Sequence, residues 1–466
     1  MNNAKCIIRL VEYENKEGNM KFKRDTPKED CLGSLKYFEN FLQHGKEELS
    51  EFLKNFLNLD EVRIQVCKLN ILKEWLMVNE LDVAMDVPGK DNEICIVSQI
   101  QANGEVISYF PYVLKGRNVK KFLELKSFLT KLAEAISDQI TLCYLQNFKG
   151  GDWIFGENLA RMIVSNCIST QKYDGIKFAH LIEKMEQLAT STFEGTFFPT
   201  GVIVSSDTSK YKEHFLKFRK EKQLDQIDKR QWFLANGQES FFLLDNSTKV
   251  SGIYIKPKPQ CPEFINRYFH EYYLTNELMA PDFIVRTVGP NEISVSDSDG
   301  KEFVKVENVW RYRHRKNITQ FLVDQLHIDY KISYAILYYT LMCSRNHVSS
   351  IIWMPNDCSI EAIRNLTASD GIKIWTSQLS ILNESHQVLV EKILASDGAV
   401  VIDKNGYILY ECVFADMSKV ENDVDREKLV GSGEVATRLL AKNGVAIKIS
   451  QDGTIKVFAG NEKIYY

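Results

Sequence analysis

Apolar residues recur at helical spacing over residues 33–57 (Leu35, Phe38, Phe41, Leu42, Leu49, Phe52, Leu53, Phe56) and again over 119–148, predicting two amphipathic helices. Between them, the β-rich runs 93–100 and 106–113 flank Ala102-Asn103-Gly104, a short hairpin turn by composition. Lys149-Gly150-Gly151-Asp152 then punctuates the chain and closes a first α+β block, 1–150. A second α+β block, 151–314, opens with helical stretches over 157–169 and up to about Leu188. It continues with strand-like segments at Gly201–Val204, Ser240–Leu244, 250–255 and 302–306. Residues 210–230 are dense in Lys and Arg with few breakers and read as a basic surface helix, its face either solvated or turned to phosphate.

The third block, 315–466, starts with a helix over 318–346 whose apolar centre, 332–343, reads as buried. A strand over 348–354, a turn at Pro355-Asn356-Asp357 and a helix over 388–395 lead to Asp397-Gly398-Ala399-Val400-Val401-Ile402. A turn at Lys404-Asn405-Gly406, a strand over 407–414 and a charged loop over 419–428 follow. The end is Gly431-Ser432-Gly433-Glu434, a helix over 435–442, and strands over 445–449 and 454–458 around Gln451-Asp452-Gly453. Asn-Gly and Asp-Gly between β-branched runs are strong hairpin signals. The fold class expected is α/β: a C-terminal mixed sheet flanked by helices, preceded by one or two α+β domains.

Length fits that division, since single cores stop growing near roughly 250–300 residues and the chain has 466. With 58 Lys and Arg against 62 Asp and Glu, it lacks the broad cationic field that coats nucleic acid, so nucleic acid is not an expected partner. No apolar run reaches the length of a membrane span and the N-terminus lacks a signal peptide's apolar core, so a cytoplasmic protein without a membrane partner is expected. The ten cysteines are scattered singly, which points to buried reduced thiols rather than a zinc site or disulfide framework.

Four features of the last third stand in register. They are His347-Val348-Ser349-Ser350-Ile351-Ile352-Trp353 after a helix, the Asp397-Gly398-Ala399 motif, the loop at Gly431-Ser432, and Ile447-Lys448-Ile449-Ser450-Gln451-Asp452-Gly453-Thr454-Ile455. In order and spacing this region resembles the catalytic domain of diadenylate cyclases, which condense two ATP into cyclic di-AMP. The resemblance implies a sensor-coupled nucleotidyltransferase using Mg²⁺ or Mn²⁺, with ATP or another nucleotide as ligand and a homo-oligomer that faces two cyclase domains together. Residues 1–314 would then be sensor, with the second block a sensor or a degenerate repeat. Faint echoes of the strands around Asp397 and Asp452 at 239–246 and 293–303 motivate the repeat.

The physics of each motif suits phosphate chemistry. Asp397 between a helix and a buried strand is a candidate metal ligand and catalytic carboxylate. Gly398 and Ala399 admit a base or ribose close to the backbone. Gly431, Ser432 and Gly433 open a helix whose amides suit an anion. Departures are equally plain. The family loop reads G-T-R-H-R, whereas here Gly431-Ser432-Gly433-Glu434-Val435 lacks both arginines and the histidine. The replacements to test are Glu434 as catalytic residue and metal ligand, Arg438 one turn further on as a phosphate contact, Asp452 as a metal ligand and Ser450 as a nucleotide contact. Without them, the alternative is a catalytically degenerate module that binds nucleotide or serves as a regulatory or structural partner. Arg313-His314-Arg315 spells R-H-R too far upstream and reads as a basic cluster introducing a helix.

Overall fold

The computed structural model describes residues 46–56, 63–66, 84–86, 93–102, 105–115, 131, 133, 135, 156–168, 175–193, 195–256, 278, 282–298, 300–306, 308–368, 378–420, 431–460 and 462–464. The helix expected over 119–148 lies outside these, save that Lys131, Ala133 and Ala135 are helical. So do the start of the helix over 33–57, the turn at Asn103-Gly104, the 149–152 punctuation and most of the charged loop after Lys419.

Helix α1 (Lys46–Phe56) precedes a four-stranded sheet of β1 (Arg63–Val66), β2 (Ala84–Asp86), β3 (Glu93–Ala102) and β4 (Glu105–Lys115), ordered β1-β4-β3-β2. Helices α2 (Gly156–Ile168) and α3 (Gly175–Ala189) follow, then a small hairpin, β5 (Thr192–Phe193) with β6 (Thr196–Phe197). The middle sheet contains β7 (Gly201–Val204), β8 (Phe215–Gln223), β9 (Ser240–Leu244), β10 (Lys249–Ile255), β11 (Phe283–Gly289), β12 (Glu292–Asp297), β13 (Lys301–Val306) and β14 (Val309–His314). Its order is β14-β13-β12-β11-β7-β9-β10-β8, and the one-turn helix α4 (Lys229–Trp232) lies between β8 and β9. Phe178, Leu181 and Met185 of α3 pack with Val202, Phe242, Phe283 and Val295 in one core, and Phe56 of α1 stacks on Phe303 and Tyr312.

The C-terminal block contains α5 (Arg315–Leu326), α6 (Tyr330–Arg345), β15 (Ser350–Met354), α7 (Ile360–Arg364), α8 (Gln387–Leu394), β16 (Ala399–Ile402) and β17 (Ile408–Val413). It ends with α9 (Ser432–Leu440), β18 (Val445–Ile449), β19 (Ile455–Ala459) and β20 (Glu462–Ile464). The sheet order is β17-β16-β15-β18-β19-β20, with β15 and β16 parallel and the other pairs antiparallel. Alternation along the strands divides the core. Ile352, Val400 and Ile447 face Ile332, Ile336 and Val390 of α6 and α8, while Trp353, Val401 and Ala446 face Leu440 and Ala441 at the end of α9. The chain is thus mixed α/β, and no described helix is long and apolar enough to cross a membrane.

The two larger sheets follow one connection scheme. In each, a helix leads to a strand, β7 or β15, which pairs in parallel with the next shared strand, β9 or β16. That strand turns back into β10 or β17. A return connection then places β11 or β18 antiparallel on the first strand's other side, followed by hairpins to β12 and β13 or to β19 and β20. They differ where β7 and β15 begin. In the middle sheet the backbone packs closely there: a Cβ on Gly201 would come 2.5 Å from the Gly237 Cα. Thr200 is tied to its neighbours there, its amide donating to Thr287 Oγ1 and its hydroxyl to the Trp232 carbonyl, both at 2.8 Å.

Two sequence expectations fail for physical reasons. Residues 210–230 form two 3₁₀ segments, the edge strand β8 between them and the start of α4 rather than one helix. The register between β8 and β10 slips between Val250 and Gly252, so the half-buried positions Phe215, Phe218 and Lys222 fall three and four apart and mimic helical spacing. Lysines along an exposed edge strand suit it, since they discourage further pairing. The helix over 318–346 is two helices, because His327 adopts φ +51° and Asp329 recaps the chain by accepting from the Lys331 amide at 2.7 Å. Arg313-His314-Arg315 does introduce a helix, but Arg313 is buried and donates to Ser344 Oγ and the Gly453 carbonyl.

Candidate functional site

Parallel β15 and β16 begin at the same end of their sheet, where β17 and β18 finish. A cleft of about 740 Å³ opens there, lined by His347–Ile351, Ala395–Gly398, Val413–Ala415, Ser432, Gly433, Lys448 and Gln451 among others. That size lies within the usual range for small-ligand sites.

One wall is the turn from α8 into β16. Asp397 is exposed there, and its Oδ1 accepts the Gly398 amide at 2.9 Å. Gly398 is required by conformation and by space: its φ is +91°, and a Cβ would stand 2.9 Å from the Cys412 carbonyl carbon. The opposite wall is the start of α9. Gly431 is its N-cap and brings no capping side chain, and the first amides bonding back are those of Glu434 and Val435, at 2.9 and 3.3 Å to the Gly431 carbonyl. The amides of Ser432 and Gly433 therefore precede the intrahelical ladder at the positive end of the helix.

Four of the expected site residues, Asp397, Gly398, Ser432 and Gly433, line this cleft, and Gly431 caps the helix beside it. The others do not. Glu434 is buried under α9, where Arg438 Nη2 at 2.8 Å and Lys456 Nζ at 2.6 Å occupy its two oxygens. Burial alone would raise the Glu434 carboxyl, but the hydrogen bonds and charges of Lys456 and Arg438 outweigh it and hold it below the ordinary value of 4.5. Arg438, spent on that ion pair, also lies 5.3 Å from the centre of the Phe458 ring, a cation–π contact. Asp452 accepts the amide and hydroxyl of Thr454, each at 2.9 Å, closing the β18–β19 turn, and Ser450 belongs to the same turn through its backbone. Ala399 is fully buried in the core beneath Trp353. Asp397, Glu434 and Asp452 are not gathered into one metal cage: among the described residues no three His, Cys, Asp or Glu form such a group.

Sequence reasoning missed Lys448, Ser350 and His347. Lys448 comes from β18, and a Cβ on Gly433 would run into its Nζ. Ser350 is buried, and its hydroxyl has no hydrogen-bond partner among the described residues. His347, at φ +54°, sits between the cleft and the middle sheet. Its Nδ1 is 2.8 Å from the Gln451 carbonyl, which can only accept, so Nδ1 carries the hydrogen. Its Nε2 is 3.4 Å from Glu292 Oε1 of β12. Burial raises the Glu292 carboxyl against the opposing charges of His347 and Arg345.

A second cavity, of about 220 Å³, adjoins α3 and β12. Its Glu186 is taken by Arg161 at 2.6 Å and Lys305 at 3.1 Å, a buried cluster that ties helix to sheet.

No protein-family model and no curated protein matches the chain. Among solved structures, a protein described as a hypothetical membrane spanning protein from Bacillus cereus is similar over 32% of this chain and 76% of its own, at 18% identity and TM-score 0.23. A double mutant of DacA from Staphylococcus aureus is similar over 29% of this chain and 85% of its own, at 14% identity and TM-score 0.21. Superpositions this slight carry nothing about the chemistry of the cleft.

Proposed function

We propose that residues 315–466 form a nucleotide-binding domain of the diadenylate cyclase type, which takes ATP or a related nucleotide in the cleft between Asp397 and the start of α9. One observation carries the proposal: an exposed carboxylate and a helix N-terminus without a capping side chain line one open cleft at the end of a mixed sheet. The helix amides suit phosphate oxygens. The small Gly398 lets a ribose or base approach the β16 backbone.

Mg²⁺ or Mn²⁺ fits only in one form. Such ions are commonly held by one or two carboxylates with substrate phosphates completing the shell, and among the described residues Asp397 is the carboxylate that lines the cleft. When bound it would neutralise phosphate charge and polarise the α-phosphorus. The remaining work falls to the chain: Asp397 orients, and the Ser432 and Gly433 amides hold phosphate. Joining two nucleotides would bring two chains together, cleft to cleft, as the resemblance to diadenylate cyclases implies.

A second reading, nucleotide binding without turnover, is favoured by the capture of Glu434 in its ion pairs. Both readings are tested on the full chain. ATP binding is measured by calorimetry with and without Mg²⁺ or Mn²⁺, and the incubated mixture is separated for cyclic di-AMP. ATP binding weakened in Asp397→Asn supports the proposal, and product then separates enzyme from binder. No binding of any nucleotide, with either metal, would sink it.

A further inference from the structure

Three cations and one carboxylate meet on the face of β18 and β19 beneath α9. Lys448 and Lys456 are directly opposed across the two strands, a like-charge pairing that ordinarily costs stability. Lys456 is answered by Glu434, and so is Arg438. Lys448 is not. Among the described residues its ammonium makes neither hydrogen bond nor ion pair, although Glu434 and Asp452 are near enough to act on it electrostatically. Burial pushes that ammonium below the usual lysine value, and the pull of those two carboxylates does not reverse the shift. The side chain ends against Gly433, at the first turn of α9, inside the cleft. The buried hydroxyl of Ser350, without a hydrogen-bond partner among the described residues, lies in the wall of the same cleft.

We infer that Lys448 is the side chain that carries phosphate charge in this cleft, gripping the condensed phosphate chain of a nucleoside di- or triphosphate at the start of α9. Arg438 is excluded from that work by Glu434 and Phe458. Helix amides alone offer partial charges, whereas an ammonium beside them supplies a full one. A lysine is a flexible point charge that can follow a phosphate chain, and it takes the place of the missing arginines from a different strand. Gly433 is part of the device, because any larger residue would displace the ammonium. The inference rests on the nucleotide reading only for the nucleoside half of the ligand.

The test uses the full chain as wild type, Lys448→Met and Lys448→Arg, with ATP, adenosine and inorganic tripolyphosphate as probes in calorimetric titrations. Lys448→Met is expected to weaken ATP and tripolyphosphate by about ten- to a hundredfold, the range of one charge-assisted contact. It should leave adenosine unchanged, and Lys448→Arg should stay within a fewfold of wild type. Thermal unfolding should show Lys448→Met no less stable than wild type, since it removes a like-charge pair. Equal ATP and tripolyphosphate binding by wild type and Lys448→Met overturns the inference, as does failure of wild type to bind either. Lys448-dependent binding of tripolyphosphate without any binding of ATP upholds Lys448 and overturns the nucleotide reading instead.

Discussion

Replacing Glu434 separates its two candidate roles, because a metal ligand and a structural counter-ion fail differently. The Glu434 side chain is 7% exposed, against 21% for Arg438 and 24% for Lys456. Removing one partner of a buried ion pair costs about 3–5 kcal/mol. The two cations keep a fifth to a quarter of their surface, so water recovers part of that cost and about 2–4 kcal/mol is expected for Glu434→Ala. Glu434→Gln, which keeps the volume and some hydrogen bonding, should lose about 1–2 kcal/mol. Hydrogen exchange by mass spectrometry on the full chain reads this locally, as faster exchange in peptides spanning α9 and β19. The pH dependence carries a sign. The folded carboxyl is held below its ordinary 4.5, so its stabilisation is present above that value and fades as pH falls through the lowered one. The gap between wild type and Glu434→Gln should therefore be widest near neutrality and close in acid. Unchanged exchange in Glu434→Gln together with lost metal-dependent ATP binding would refute the structural role and return Glu434 to the cleft.

Gly398→Ala should destabilise the chain by about 1–3 kcal/mol, since φ +91° and the Cys412 backbone both reject a Cβ; a thermal midpoint equal to wild type would contradict this. Glu292 is raised by burial, and a raised carboxyl favours folding only below its unfolded value, costing stability as pH climbs through the folded one. Glu292→Gln should accordingly gain in unfolding midpoint on wild type as pH rises above the ordinary 4.5, and a gain that shrinks with rising pH would show the sign to be wrong. Burial pushes the Cys343 thiol up to about 12, so native protein should leave it unalkylated by iodoacetamide at pH 8 while unfolded protein does not.

The C-terminal elements were legible because β-branched runs and Asn-Gly or Asp-Gly turns report local structure, and the strands at 399–402 and 445–449 lie where those signals put them. Asp397 and Gly398 were singled out by the resemblance of the Asp397-Gly398-Ala399 motif, and they stand at a helix-to-strand turn in the cleft wall. Glu434 and Arg438 misled because an i, i+4 acid–base pair on one helix face satisfies itself more readily than it reaches outward. Lys448 could not be found this way. Between Ile447 and Ile449 it looks like any solvent-facing strand residue, and only the pairing of β18 with β15 and the seating of α9 turn it into a cleft. Likewise the slip in register opposite β8 is set by strand pairing far along the chain, and it erased the period of two that would have announced a strand.

The β18–β19 turn is gripped from outside its own sheet, by Arg313 at Gly453 and by His347 between Gln451 and Glu292. That turn is also the lip of the cleft, so the middle sheet and any occupant of the cleft hold opposite ends of one short piece of backbone. Linkage then works in both directions. A ligand that steadies the turn favours its seating on the middle sheet by the same free energy by which that seating favours the ligand.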